Sequence, residues 1–95
     1  MIYFNISEVR KYLEKHGEVY TLRKQRHEGI DLAVTGNYFI HKPLFPVIVE
    51  LVGKSSETLI KKYVKKSGMK SATAWDELAK RLSGKGLYMY RVYRV

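Results

Sequence analysis

Two residues of this chain have the types that hydrolytic chemistry uses, in settings that single them out. Glu50 is a lone acid in the apolar run Val47–Val52, VIVELV. Such an acid is paired, protonated or turned toward a cleft, because an unpaired buried carboxylate is costly. Thr21 stands in a strand that runs into the most basic stretch of the chain, VYTLRKQRH from Val19 to His27. A threonine hydroxyl becomes a nucleophile only beside a base, so Thr21 and Glu50 form the candidate catalytic pair. Two further roles stay open for Glu50: an ion pair with Arg23 or Lys24, and a hydrogen-bond acceptor for a ligand. For Thr21 the plain alternative is cross-strand packing.

Binding asks for less than catalysis. Arg23, Lys24, Arg26 and His27 are placed to neutralise phosphates, with Lys42 and Arg91 as further contacts, while Tyr38 and Tyr90 offer rings for unpaired bases. The chain carries 18 Lys and Arg against 9 Asp and Glu, a net charge of +9 that attracts polyanions. RNA or another single-stranded nucleic acid is therefore the expected partner. No recognition-helix pattern points to duplex reading, since a strand follows Gly17 where a second helix would be needed. Neither a phosphate-binding glycine loop nor a Ser-His-Asp arrangement is present, and His16, His27 and His41 lack metal-ligand spacing. No metal and no cofactor is expected. Absence of cysteine removes disulfides and suits a reducing cytoplasm, and no apolar run approaches the roughly 20 residues of a membrane span. The cysteine-free, Lys- and Tyr-rich composition also suits a heat-adapted source.

The elements that must position these residues follow from periodicity. A short strand is expected at residues 1 to 5, then a helix over about Ile6 to His16, with Asn5 and Glu8 as a capping box and Gly17 as its stop. Val19 to Leu22 reads as a strand and Arg23 to Glu28 as an exposed loop. Ile30 to Val34 and Tyr38 to Ile40 read as a hairpin around Gly36-Asn37, followed by a bend at Pro43 and Pro46 and a strand at Val47 to Val52. A second helix runs from Ser55 or Ser56 to about Lys66, its apolar stripe Leu59, Ile60, Tyr63 and Val64 opposed by a lysine face. Ser71 opens a third helix with Trp75 on its apolar side, and LYMYRVYRV closes the chain as an alternating strand. The 95 residues make one domain of α+β class, a small curved sheet or barrel flanked by about three helices.

Taken in order, GEVYTLRK at Gly17 to Lys24, the HEGIDLAVTG hairpin, VIVELV at Val47 to Val52 and the closing Ser67 to Val95 resemble the ASCH domains of the PUA-like superfamily. The resemblance implies a PUA-like β-barrel over residues 1 to 95 whose cleft faces RNA or a modified nucleobase. It also implies an alternative activity, a small hydrolase of the ribonuclease or nucleoside-amidohydrolase kind. In the amidohydrolase branch a Lys, a Thr three residues later and an inner-strand Glu form the site. Thr21 and Glu50 match two of these, whereas Glu18 occupies the position of the catalytic Lys.

Overall fold

The computed structural model describes all 95 residues. Five strands form one curled sheet: β1 (Ile2–Tyr3), β2 (Glu18–Arg23), β3 (Gly29–Gly36), β4 (His41–Lys54) and β5 (Tyr88–Arg94), in spatial order β1-β3-β4-β5-β2. Every pairing is antiparallel except β1 with β3. Three helices pack on it: α1 (Ser7–His16), α2 (Glu57–Tyr63), which runs into a 3-10 turn at Val64–Lys66, and α3 (Ala72–Ser83). The α+β class and the curved sheet with three flanking helices agree with the sequence reading.

The chain buries apolar residues on both faces of this sheet. Along β2 and β5 the alternation sends Val19, Tyr90 and Val92 to one face, where Ile2, Phe4, and Val9 and Leu13 of α1 cover them. Tyr20, Leu22 and Met89 go to the other face, beneath Ile60 of α2 and Trp75 and Ala79 of α3. Edge strand β2 is thereby enclosed from both sides, which protects a strand that has only β5 as a partner. Gly68 lets the connection between α2 and α3 lie close against α1, for a Cβ there would meet the Glu8 carbonyl oxygen at 2.7 Å and Val9 Cα at 2.9 Å.

Three expectations change. Tyr38 to Ile40 is loop, and the strand begins at His41 and runs straight through Pro43 and Pro46. The prolines are tolerated because β5 joins β4 only from Val47, so the missing N–H groups lie where β4 has a strand on one side alone. Register shifts at Ala33/Val34 against Phe45/Pro43, and again between Leu51 and Gly53, mark bulges that bend β4 and help curl the sheet. Asn5 does not cap α1. Ile6 holds the cap position without a side-chain bond, because the Asn5 amide is engaged elsewhere.

Candidate functional site

Register decides what Thr21 and Glu50 can do together. Thr21 pairs with Tyr90 and Glu50 pairs with Arg91, and these are consecutive residues of β5. Directly opposed residues share a face and consecutive residues do not, so Thr21 and Glu50 project from opposite sides of the sheet. Thr21 is buried, and its Oγ1 accepts a 3.0 Å hydrogen bond from Arg23 Nε. Glu50 is half exposed and accepts from Arg91 Nη1 and from the Tyr93 hydroxyl, each at 3.3 Å. Its cationic partner is thus Arg91 and not Arg23 or Lys24, because Arg23 lies on the face of Thr21. Glu18 joins the same group by accepting from Arg91 Nε. The Glu18 bond, against some opposing burial, holds the Arg91 guanidinium above its ordinary pKa, and Glu50 adds to this. Two carboxylates on one guanidinium, itself stacked 4.2 Å from the Tyr93 ring centroid, make a self-satisfied cluster.

The basic stretch divides in a similar way. Arg23 turns inward, donating from Nη2 to the Tyr3 carbonyl at 2.6 Å and lying 5.0 Å from the Phe4 ring centroid. Arg26 reaches back to the Met1 carbonyl, donating at 2.5 Å, and lies 3.5 Å from Asp31. Lys24 and His27 remain exposed. Tyr90 is withdrawn from any base: it is 2% exposed and its hydroxyl accepts the Arg26 backbone N–H at 2.8 Å. Its place in the strand alternation, between Tyr88 and Val92 on the α1 face, puts it in the core. Arg91 is held by its two acids, so neither of these β5 residues is free for nucleic acid.

Tyr38 and Lys42 lie at the other end of β3 from the basic loop, on the β3–β4 hairpin. There Tyr38, Phe39 and Ile40 are 79%, 89% and 78% exposed, and the Tyr38 and Phe39 rings stand edge to face at 5.4 Å between centroids. This loop is ordered by its own polar groups. Asn37 Oδ1 accepts the Phe39 and Ile40 N–H groups at 3.0 and 2.9 Å, and the Asn37 N–H donates to the Ile40 carbonyl at 2.8 Å. Gly36 supplies the turn with a φ of +108°, where a Cβ would collide with the Ile40 carbonyl oxygen at 2.3 Å. Asn5 then clamps the base, donating to the Gly36 carbonyl and accepting the Gly36 N–H, both at 2.8 Å. Phe39 and Asn5 are the residues that reading by pattern missed. The signal for Phe39 was the Gly36-Asn37 turn immediately before it, which places the next residues in a loop and not in a strand.

Elsewhere, a cleft of about 530 Å³ between α2, α3 and the 84–86 turn has lysines facing Glu57, Asp76 and Glu77, and two of those lysines are already paired. Lys62 and Lys66 of the lysine face lie 5.3 and 6.0 Å from the centroids of Tyr63 and Tyr20, two rings stacked on each other at 4.2 Å. No three His, Asp or Glu side chains converge as metal ligands, and no helix is long and apolar enough to cross a membrane. No family model, curated protein or solved structure matches this chain.

Proposed function

We propose that this protein binds single-stranded nucleic acid, RNA foremost, through the tip of the β3–β4 hairpin. The observation that carries the reading is the pair Tyr38 and Phe39, almost wholly exposed and fixed edge to face by a clamped turn. Large apolar side chains held in water without a partner mark an interaction site, and aromatic rings accept unpaired bases of any sequence. Beside them stand His41 and Lys42, and no acid occurs between Asp31 and Glu50. The net charge of +9 supplies long-range attraction to phosphate.

Binding, and not turnover, is the favoured reading. A hydrolase of the ASCH kind needs Thr21 and Glu50 in one cleft, and the sheet separates them. The PUA-like resemblance remains part of the proposal, supported by the curled sheet and by the helix and strand that close the chain.

Titration of a fluorescein-labelled oligouridine, with single-stranded and duplex DNA alongside, tests this at two salt concentrations. Affinity should fall with salt with a log-log slope of about 0.7 per neutralised phosphate. The double substitution Tyr38→Ala/Phe39→Ala should weaken binding by roughly 5- to 150-fold for each stacked base lost, from about 1–3 kcal/mol per stack. Undiminished affinity in that variant, or tighter binding to the duplex than to either single strand, would overturn the assignment.

A further inference from the structure

A second cleft, of about 300 Å³, opens between α3 and the segment Tyr3 to Ile6. Its lining is mostly apolar, with Phe4, Met69, Trp75, Leu78 and Leu82 among it, and Arg23 is the one charged residue there. Arg10, Arg26 and Arg91 each hold a carboxylate, whereas Arg23 has none within 4.0 Å although it is the more enclosed group. Burial, with Arg26 as the neighbouring charge, pushes its pKa down to about 10. An enclosed cation without a counter-charge is a cost that the fold carries.

The same lining holds donors that lack acceptors. Arg23 uses Nε on Thr21 and Nη2 on Tyr3, and its Nη1 makes no bond within the chain. The Thr21 oxygen accepts from Arg23, which leaves the hydroxyl proton without an acceptor. Two donors, one of them cationic, call for a group that only accepts, and an ionised carboxylate is that group. The apolar walls call for a hydrocarbon body, and the size of the cleft restricts it to a small one.

We infer that this cleft binds a small organic carboxylate with an apolar tail, the carboxylate on Arg23 and Thr21 and the tail against Trp75 and Leu78. Thr21 then has a use that needs no partnership with Glu50: it orients the guanidinium through Nε and donates its own proton to the ligand.

Trp75 is the single tryptophan of the chain and lines the cleft, so its emission reports occupancy. Octanoate is the probe, with octan-1-ol and octylamine as neutral and cationic molecules of equal length. Octanoate should give a saturable change in Trp75 emission, octan-1-ol should bind at least about tenfold more weakly, as loss of a charged hydrogen bond requires, and octylamine should not bind. Arg23→Gln should bring octanoate down to the level of octan-1-ol. Because that variant also loses the tie to the Tyr3 carbonyl, Thr21→Val provides the milder check: octanoate weakens several-fold while octan-1-ol is unchanged. Equal binding of octanoate and octan-1-ol by the unaltered protein, or no saturable response to octanoate, overturns the inference whatever the variants do.

Discussion

Asn5 and Gly36 exchange two hydrogen bonds of 2.8 Å across 31 residues of chain, so the segment that leads into α1 grips the base of the β3–β4 hairpin. The clamp joins the part of the molecule that packs against the sheet to the loop that carries Tyr38 and Phe39. It supplies Gly36, the last residue of β3, with partners for both its backbone N–H and its carbonyl.

Asn5→Ala should therefore lower stability by about 1 kcal/mol, the net worth of one to two partly exposed hydrogen bonds. In a domain of this size that corresponds to a fall in melting temperature of about 4–8 °C. Affinity for single-stranded RNA should fall as well, since the rings are no longer held ready. A change in melting temperature indistinguishable from zero would show that the clamp contributes nothing in solution.

The place of Asn5 also shows what could be read from the chain alone. Where a local period coincides with local stop signals, the reading holds: Ser71 accepts the Ala74 N–H at 3.1 Å at the start of α3, Val9 and Leu13 are buried four residues apart in α1, and β5 alternates as its pattern requires. Asn5 had a competing partner 31 residues away, and no local pattern reveals a competitor at that distance. The Thr21 and Glu50 pairing failed to form for a related reason. Each residue was placed correctly in its own strand, but their relative face depends on the register of β2 and β4 against β5, and a step of one residue reverses it. Pro43 and Pro46 read as a bend because proline is disfavoured inside a sheet. The exemption came from neighbour order, which is also a property of the whole fold.

Glu50→Gln tests the self-satisfied cluster on the other face. Glu50 is half exposed and shares Arg91 with Glu18, so screening by water limits its contribution to under about 1 kcal/mol. Glu18→Gln should cost more, since Glu18 is the more enclosed acid and makes the principal bond to Arg91. Urea denaturation of both variants measures this order. Affinity for RNA should not decrease in either, because each substitution removes a negative charge from a cluster that lies off the proposed interface. The reverse order of stabilities, or loss of RNA affinity, would contradict the description of this cluster.

Asp31 gives the stability its acid limb. Burial alone would raise its pKa, but the hydrogen bond to the Met1 ammonium, the bond from the Leu32 N–H and the nearby Arg26 together hold the carboxyl below its ordinary value. A carboxyl whose pKa is lower folded than unfolded contributes stability above the unfolded pKa of about 4, and that contribution disappears as pH falls through the folded value. Asp31→Asn should accordingly cost roughly 1–2 kcal/mol at neutral pH, on the scale of a charged hydrogen bond. The gap to the unaltered protein should close as pH drops below about 4. Melting curves from pH 7 downward measure the gap, and one that stays constant with pH would place its origin in packing and not in charge.

Tyr38 and Tyr90 should respond in opposite ways to loss of their ring chemistry. Tyr90 lies in the core with its hydroxyl on the Arg26 N–H, so Tyr90→Phe strands a backbone donor and should destabilise the fold by about 1–3 kcal/mol. Its affinity for single-stranded RNA, measured where the variant is still folded, should be unchanged, because the face of that ring touches only protein. Tyr38 is 79% exposed and supports nothing beneath it, so Tyr38→Ala should leave the stability within about 0.5 kcal/mol of the unaltered protein. It should nevertheless lose roughly tenfold or more in affinity, the worth of one stacked base. Denaturation and anisotropy on the two variants, side by side, separate a core tyrosine from an interface tyrosine in the same experiment. If both lose affinity in proportion to lost stability, the hairpin tip has no role of its own, and the effect of Tyr38→Ala is structural.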